Sequence, residues 1–107
     1  MNETEFNALA EATLDAIESA VEATGADIEA ARTGNVLSLE LGDGSKVVVN
    51  SQAPMRQIWV AAKSGGFHYA RQGDQWRDTR DGGELFAALS RILSTQGGEP
   101  LVLSPRP

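Results

Sequence analysis

The chain has 107 residues and a formal net charge of −6 at pH 7, enough for a single domain over residues 1–107 and of the wrong sign for nucleic acid, whose phosphates need a basic patch. It contains no cysteine, which excludes disulfides, thiolate metal sites and cysteine nucleophiles. No apolar run approaches the length of a membrane span or a signal segment, so a cytoplasmic, membrane-free location is expected.

The charge is unevenly placed. From Met1 to Ala31 there are eight carboxylates (Glu3, Glu5, Glu11, Asp15, Glu18, Glu22, Asp27 and Glu29) and no Lys or Arg. Every basic residue comes later, beginning at Arg32. An acidic front half points to cations or to a basic protein surface.

The first predicted element is a helix from Glu3 to Thr24. Asn2 followed three residues later by Glu5 matches a capping box, and Gly25 provides a stop. Phe6, Leu9, Ala10, Thr13, Ile17, Ala20, Val21 and Thr24 recur at helical spacing and form the inward face.

Strands follow, divided by turn residues. Asp27–Arg32 alternates weakly, as an edge would. Val36–Leu41 alternates clearly, with Leu37, Leu39 and Leu41 on one side. Gly42-Asp43-Gly44-Ser45 is a hairpin signal. Lys46–Asn50 is β-branched, and Pro54 fixes the connector Ser51–Arg56. Gln57–Ala62, Phe67–Arg71 and Gln75–Asp78 complete six strands. A second helix is expected over Gly83–Thr95 with Asp81 as its cap, and Leu101-Val102-Leu103 as an apolar tail folded back on the core.

Short turns force antiparallel neighbours. The expected fold class is therefore α+β: a two-layer sandwich in which the N- and C-terminal helices pack on one face of an antiparallel sheet of about six strands. The other sheet face is left for solvent or a partner.

Two surfaces stand out. On a helix, Glu3, Asn7, Glu11, Asp15, Glu18 and Glu22 are separated by 4, 4, 4, 3 and 4 residues, so they form one row, expected opposite the Phe6/Ile17/Val21 face. Asp27 and Glu29 are expected to prolong it. Like charges at this spacing repel by about 0.2–0.5 kcal/mol per pair, and no interleaved Lys or Arg relieves them. The plain alternative is a solubilising acidic face. Oxygen-only ligands suit hard cations such as iron, manganese, calcium or magnesium. A helix surface cannot enclose an ion, so binding is expected to be weak and largely hydrated. The metal candidates are Glu3, Glu11, Asp15, Glu18, Glu22, Asp27 and Glu29.

The second surface is the open sheet face. If Ile58 and Val60 point to the helices, Trp59 points outward beside Gln57, and an exposed Trp flanked by amides reads as a docking hot spot. Trp76 reads as core. His68 is the sole histidine and no metal role is assigned to it.

Val49-Asn50-x-Gln52-x-Pro54-x-x-Gln57-Ile58-Trp59, followed by Lys63-Ser64-Gly65-Gly66-Phe67-His68-Tyr69 and Trp76, resembles the signature of the frataxin family in its bacterial branch. The resemblance spans nearly the whole chain, including the acidic first helix and the closing helix. It implies a two-helix, one-sheet sandwich and weak, surface-exposed binding of iron (Fe²⁺/Fe³⁺). It further implies docking to a cysteine desulfurase and an iron–sulfur scaffold protein through Asn50, Gln52, Gln57, Trp59 and His68. The implied activity is that of an iron-dependent regulator or iron chaperone of cluster assembly, a monomer without iron, and not a conventional enzyme. Here Ser19, Ala23 and Thr24 thin the acidic ridge, and Asn7 stands where some relatives carry histidine, so fewer or weaker iron sites are expected. The competing readings are a ferroxidase and a metal-independent acidic inhibitor of a basic partner. One histidine and no inward Glu-x-x-His pair argue against a buried di-iron site.

Overall fold

The computed structural model describes residues 1–104; the last three residues of the expected domain lie outside it. Helix α1 runs Glu3–Thr24. Asn2 Oδ1 accepts the Glu5 amide at 2.8 Å and the Asn2 amide donates to Glu5 Oε1 at 3.1 Å, which closes the capping box. Gly25, with φ 68°, ends the helix in the left-handed region that glycine enters without steric cost.

Six strands follow: β1 Ile28–Thr33, β2 Val36–Leu41, β3 Lys46–Gln52, β4 Gln57–Ala62, β5 Gly65–Gln72 and β6 Gln75–Asp78. Each pairs antiparallel with its sequence neighbour, giving one sheet in the order β1-β2-β3-β4-β5-β6. Helix α2 runs Leu85–Gly97, two residues later at each end than expected. Its cap is Glu84, whose carboxylate accepts the Phe86 and Ala87 amides at 2.7 and 3.0 Å. Asp81 instead accepts the Gly83 amide at 2.8 Å inside the preceding turn.

The register decides which side of each strand is apolar. Leu37, Leu39, Leu41, Val47, Val49, Ile58, Val60, Tyr69 and Trp76 face the helices and are buried. Opposite them lie Phe6, Ala10, Leu14, Ile17 and Val21 of α1 and Leu85, Phe86, Leu89, Ile92 and Leu93 of α2. Burying one such aliphatic side chain is worth about 1.5–3 kcal/mol, so this single apolar layer holds both helices on the sheet. Leu14, absent from the predicted inward face, is buried, while Leu9 is only half-buried.

The apolar tail returns to the core through Leu101 and Leu103, while Val102 between them points outward and is exposed. Leu103 is buried. Two serines of α2 hold its backbone: the Leu101 amide donates to Ser94 Oγ at 3.0 Å and the Leu103 amide to Ser90 Oγ at 2.8 Å. Among the described residues no helix is long and apolar enough to cross a membrane.

Candidate functional site

The acidic row exists, but it lies on a different side of the helix from the one the sequence predicts. Glu3, Asn7, Glu11, Asp15 and Glu22 are exposed and Glu18 is half-buried. The row is not opposite the buried face; it runs along the flank of α1 next to the β1 edge of the sheet. The proof is Arg32. Its Nη1 lies 2.5 Å from Asp15 Oδ1, and its Nε donates to Gly34 O at 2.7 Å. Arg32 is opposite Leu37 in the register, so it emerges on the helix side of β1. Asn7, Glu11 and Leu14 line a shallow cleft with Arg32, Asn35 and Ser51. The row thus borders a seam between helix and sheet. Periodicity along α1 alone could not show that a cation 17 residues away in sequence would reach its middle.

Asp27 and Glu29 do not prolong the row. Glu29 pairs with Glu40 in the register, and strand alternation puts it on the same face as Ala31 and Thr33, away from the helices. The weak alternation of β1 concealed that parity. Asp27 joins another group: its carboxylate rests against Gly42, where an added Cβ would lie 2.6 Å from Oδ2. There it lines a cleft of about 300 Å³ together with Asp43 and Glu99 over Ile28, Leu41 and Leu93. Among the described residues no three His, Asp or Glu side chains converge as a ready-made metal cage. The donor chemistry of Glu11, Asp15, Glu18 and Glu22 still suits iron. They are oxygen donors on an exposed helix flank, able to take a hydrated hard cation one or two carboxylates at a time.

The second surface is the outer face of the sheet. Ile58 and Val60 are buried against the helices, so Trp59 points away from them and is half-buried. The register aligns Asn50, Trp59 and His68 across β3, β4 and β5. The indole and imidazole rings stack with centroids 4.2 Å apart and planes 8° from parallel. Trp59 Nε1 donates to Gln57 Oε1 at 2.8 Å, and Gln52 Nε2 donates to Asn50 Oδ1 at 2.5 Å. The next row across the sheet is Gln52, Gln57, Ala70 and Arg77. All five residues of the expected docking surface therefore share one face, with Gln52 bonded to Asn50, Gln57 to the Trp59 indole, and His68 stacked on that ring.

Two contributors escaped sequence reasoning. Arg77 extends the amide row toward the β6 edge, a placement that only the register reveals. Arg56 has φ 54°, the sole non-glycine described residue in the left-handed region. It follows the 3₁₀ turn Ala53–Met55 and leads directly into Gln57, so it aims the start of β4. Its Nη1 donates to Ala53 O, and its Nε is buried without a partner.

Trp76 belongs to the core rather than to either surface. It is buried, edge-on to Phe6 at 6.0 Å, with the Arg71 guanidinium 5.5 Å above its ring.

Two terminal helices on one face of a six-stranded antiparallel meander, an acidic first helix and an aromatic–amide outer face define a frataxin-type sandwich. A family model described as a frataxin-like domain matches residues 1–99. The chain belongs to the frataxin family, in its bacterial CyaY type. It is 57% identical over 105 residues to the iron-sulfur cluster assembly protein CyaY of Cupriavidus taiwanensis, covering 94% of this chain and 95% of that one. It is 58% identical over 108 residues to the protein of the same name from Janthinobacterium sp. strain Marseille, covering 96% of each. Among solved structures, frataxin from Psychromonas ingrahamii superposes with a TM-score of 0.90 at 33% identity over 100% of both chains. Trimeric frataxin from Saccharomyces cerevisiae, complexed with ferrous iron, superposes with a TM-score of 0.68 at 26% identity over 89% of this chain and 87% of that one.

Proposed function

We propose that this protein serves iron–sulfur cluster assembly in the cytoplasm as an iron-responsive accessory, monomeric without iron, that carries iron weakly on α1 and docks through its outer sheet face. The observation that carries this reading is the physical separation of the two surfaces. The carboxylate row lies on the flank of α1, and the Asn50/Gln52/Gln57/Trp59/His68 patch lies on the far side of the sheet, so one can hold a cation while the other holds a protein. The names of its relatives, and the ferrous iron bound by the yeast frataxin, support the same role.

The row itself performs the iron-handling step. Glu18 and Glu22 are one helical turn apart and have no ion-pair partner among the described residues. A divalent cation between them relieves their repulsion and keeps most of its waters, so it is taken up at low cost and released readily. The partners that fit the outer face are a cysteine desulfurase and its scaffold protein. A hot spot built on one aromatic ring with pre-positioned amides loses little side-chain entropy on docking.

Calorimetry with Fe²⁺ and Fe³⁺ on the native chain and on the E18Q/E22Q double variant tests the metal half of this reading. Binding by the native chain and its loss in the variant are expected. Equal heats from both would reject it. A protein that binds desulfurase with an affinity independent of iron would be the metal-free inhibitor instead, and rapid O₂ consumption on adding Fe²⁺ would mark a ferroxidase.

A further inference from the structure

We infer that Arg56 is a further docking residue whose guanidinium is held in reserve for a carboxylate of the partner protein. In the free chain it lies back on the Ala53 carbonyl, and docking draws it outward. The inference rests on the docking role proposed above for the outer sheet face and names the chemistry of the partner's matching group.

Two irregularities of the described residues fall on this one side chain. Arg56 has φ 54° and ψ 44°, and it alone among the described non-glycine residues lies in the left-handed region. A residue with a Cβ is disfavoured there, whereas glycine is at ease. Its Nε is also the one buried side-chain nitrogen or oxygen among the described residues that lacks a hydrogen-bond partner. The backbone N–H and Nη1 both donate to the Ala53 carbonyl, and among the described residues no carboxylate lies within ion-pair reach. The edge formed by Nε and Nη2 is thus left without an acceptor. Glycine at this position would relieve the backbone and remove the orphaned donor, so the turn itself does not call for arginine. Irregularities of this kind cluster where a ligand resolves them.

The position suits docking. Arg56 follows the turn Ala53–Met55 and immediately precedes Gln57 of the outer-face row Gln52, Gln57, Ala70 and Arg77. Met55 beside it is 57% exposed, and Met and Arg are both enriched where proteins meet. The free Nε/Nη2 edge matches the two oxygens of a carboxylate, so the occupant is an Asp or Glu side chain of the docked partner. Because Nε is buried, the edge meets that carboxylate only after the side chain rotates outward. The Ala53 carbonyl keeps its bond from the Arg56 backbone N–H, so the rotation strands no acceptor.

The test compares the full chain with Arg56→Gly, Arg56→Asn and Arg56→Lys in thermal melts and in binding to an immobilised complex of cysteine desulfurase and scaffold protein. Glycine and asparagine both accept left-handed backbone. Arg56→Gly should melt higher than the native chain by ~4 °C, and Arg56→Asn by less. Both should bind the complex on the order of tenfold more weakly. Their affinity should also fall less steeply with salt, because one charge pair is gone. Arg56→Lys keeps the charge without the fork, and should restore the salt dependence but only part of the affinity. A merely structural arginine would lose stability and affinity together on Arg56→Gly. That outcome would overturn the inference, as would Arg56→Gly and Arg56→Asn proteins that bind like the native chain. Failure of the docking reading looks different: the native chain itself would not bind the complex, and the inference would fall with it.

Discussion

The indole N–H of Trp76 donates to Thr13 Oγ1 at 3.0 Å, and Thr13 Oγ1 donates in turn to the Leu9 carbonyl at 2.8 Å. This relay pins the last strand to the middle of the first helix through buried polar atoms that satisfy one another. Replacing Thr13 by Val keeps the shape and strands the indole donor. An unsatisfied buried donor costs about 1–3 kcal/mol, so Thr13→Val should lose that much in urea denaturation. Thr13→Ser, which retains the hydroxyl, should lose clearly less.

Tyr69 sets an alkaline limit. Burial, reinforced by the negative charge of Asp78 opposite it, pushes its phenol up to about 12 from an ordinary 10. The folded state therefore holds the proton more tightly than the unfolded chain. Stability contributed this way is complete below pH 10 and is lost as the pH climbs toward 12. Over that window the native protein should lose up to about 1.4 kcal/mol per pH unit. Tyr69→Phe, with nothing to ionise, should show a flatter profile in guanidinium melts taken between these pH values.

Trp59 offers the reverse profile, large in binding and small in stability. Its ring touches His68 and its N–H reaches Gln57, both on the outer face. Trp59→Ala should weaken desulfurase binding by roughly thirtyfold, the scale of a hot-spot truncation, with a modest fall in melting temperature. His68→Ala should weaken binding by a smaller factor by removing the stacked support. Interferometry on immobilised desulfurase checks both, and unchanged dissociation rates would remove this face from the docking surface.

The end of α1 is charged against its own interest. Its last turn has no basic residue, and Glu22 sits there beside the negative end of the helix dipole, one turn from Glu18. Glu22→Lys removes both penalties and should stabilise the fold by about 0.5–1 kcal/mol while lowering affinity for Fe²⁺. A gain in melting temperature with undiminished iron binding would show that this carboxylate has no part in the metal site.

Much of this was readable from residue order. The 3.6-residue period of α1, the Asn2/Glu5 box and the Gly42–Ser45 turn placed their elements because each depends on neighbours a few positions away. Strand β4 was equally transparent, since Ile58 and Val60 can share one face only if Trp59 takes the other. The misses came from relations that cross the fold. The side of Glu29 depends on its register with Glu40, and its alanine-rich strand has no apolar alternation to reveal it. Asp81 resembles a cap by residue type, yet the turn after β6 uses it for Gly83 and leaves the cap to Glu84. At about 100° per residue the acidic row already falls on a flank of α1 rather than opposite Phe6, Ile17 and Val21, but the neighbour it meets there becomes visible only when Arg32 is seen to reach Asp15.

The strand order β1 to β6 also bears on how the molecule is assembled. Every rung of the sheet joins segments adjacent in the chain, so each hairpin can close soon after its residues emerge, with little loop entropy to overcome. The helices are different: α1 is made first, but the Trp76–Thr13 bond waits on a residue 63 positions later. A nascent chain halted before β6 would therefore display a nearly finished sheet with its greasy side showing. Completion of that last short strand brings Trp76 to Thr13 and Phe6 and closes the polar relay in the core.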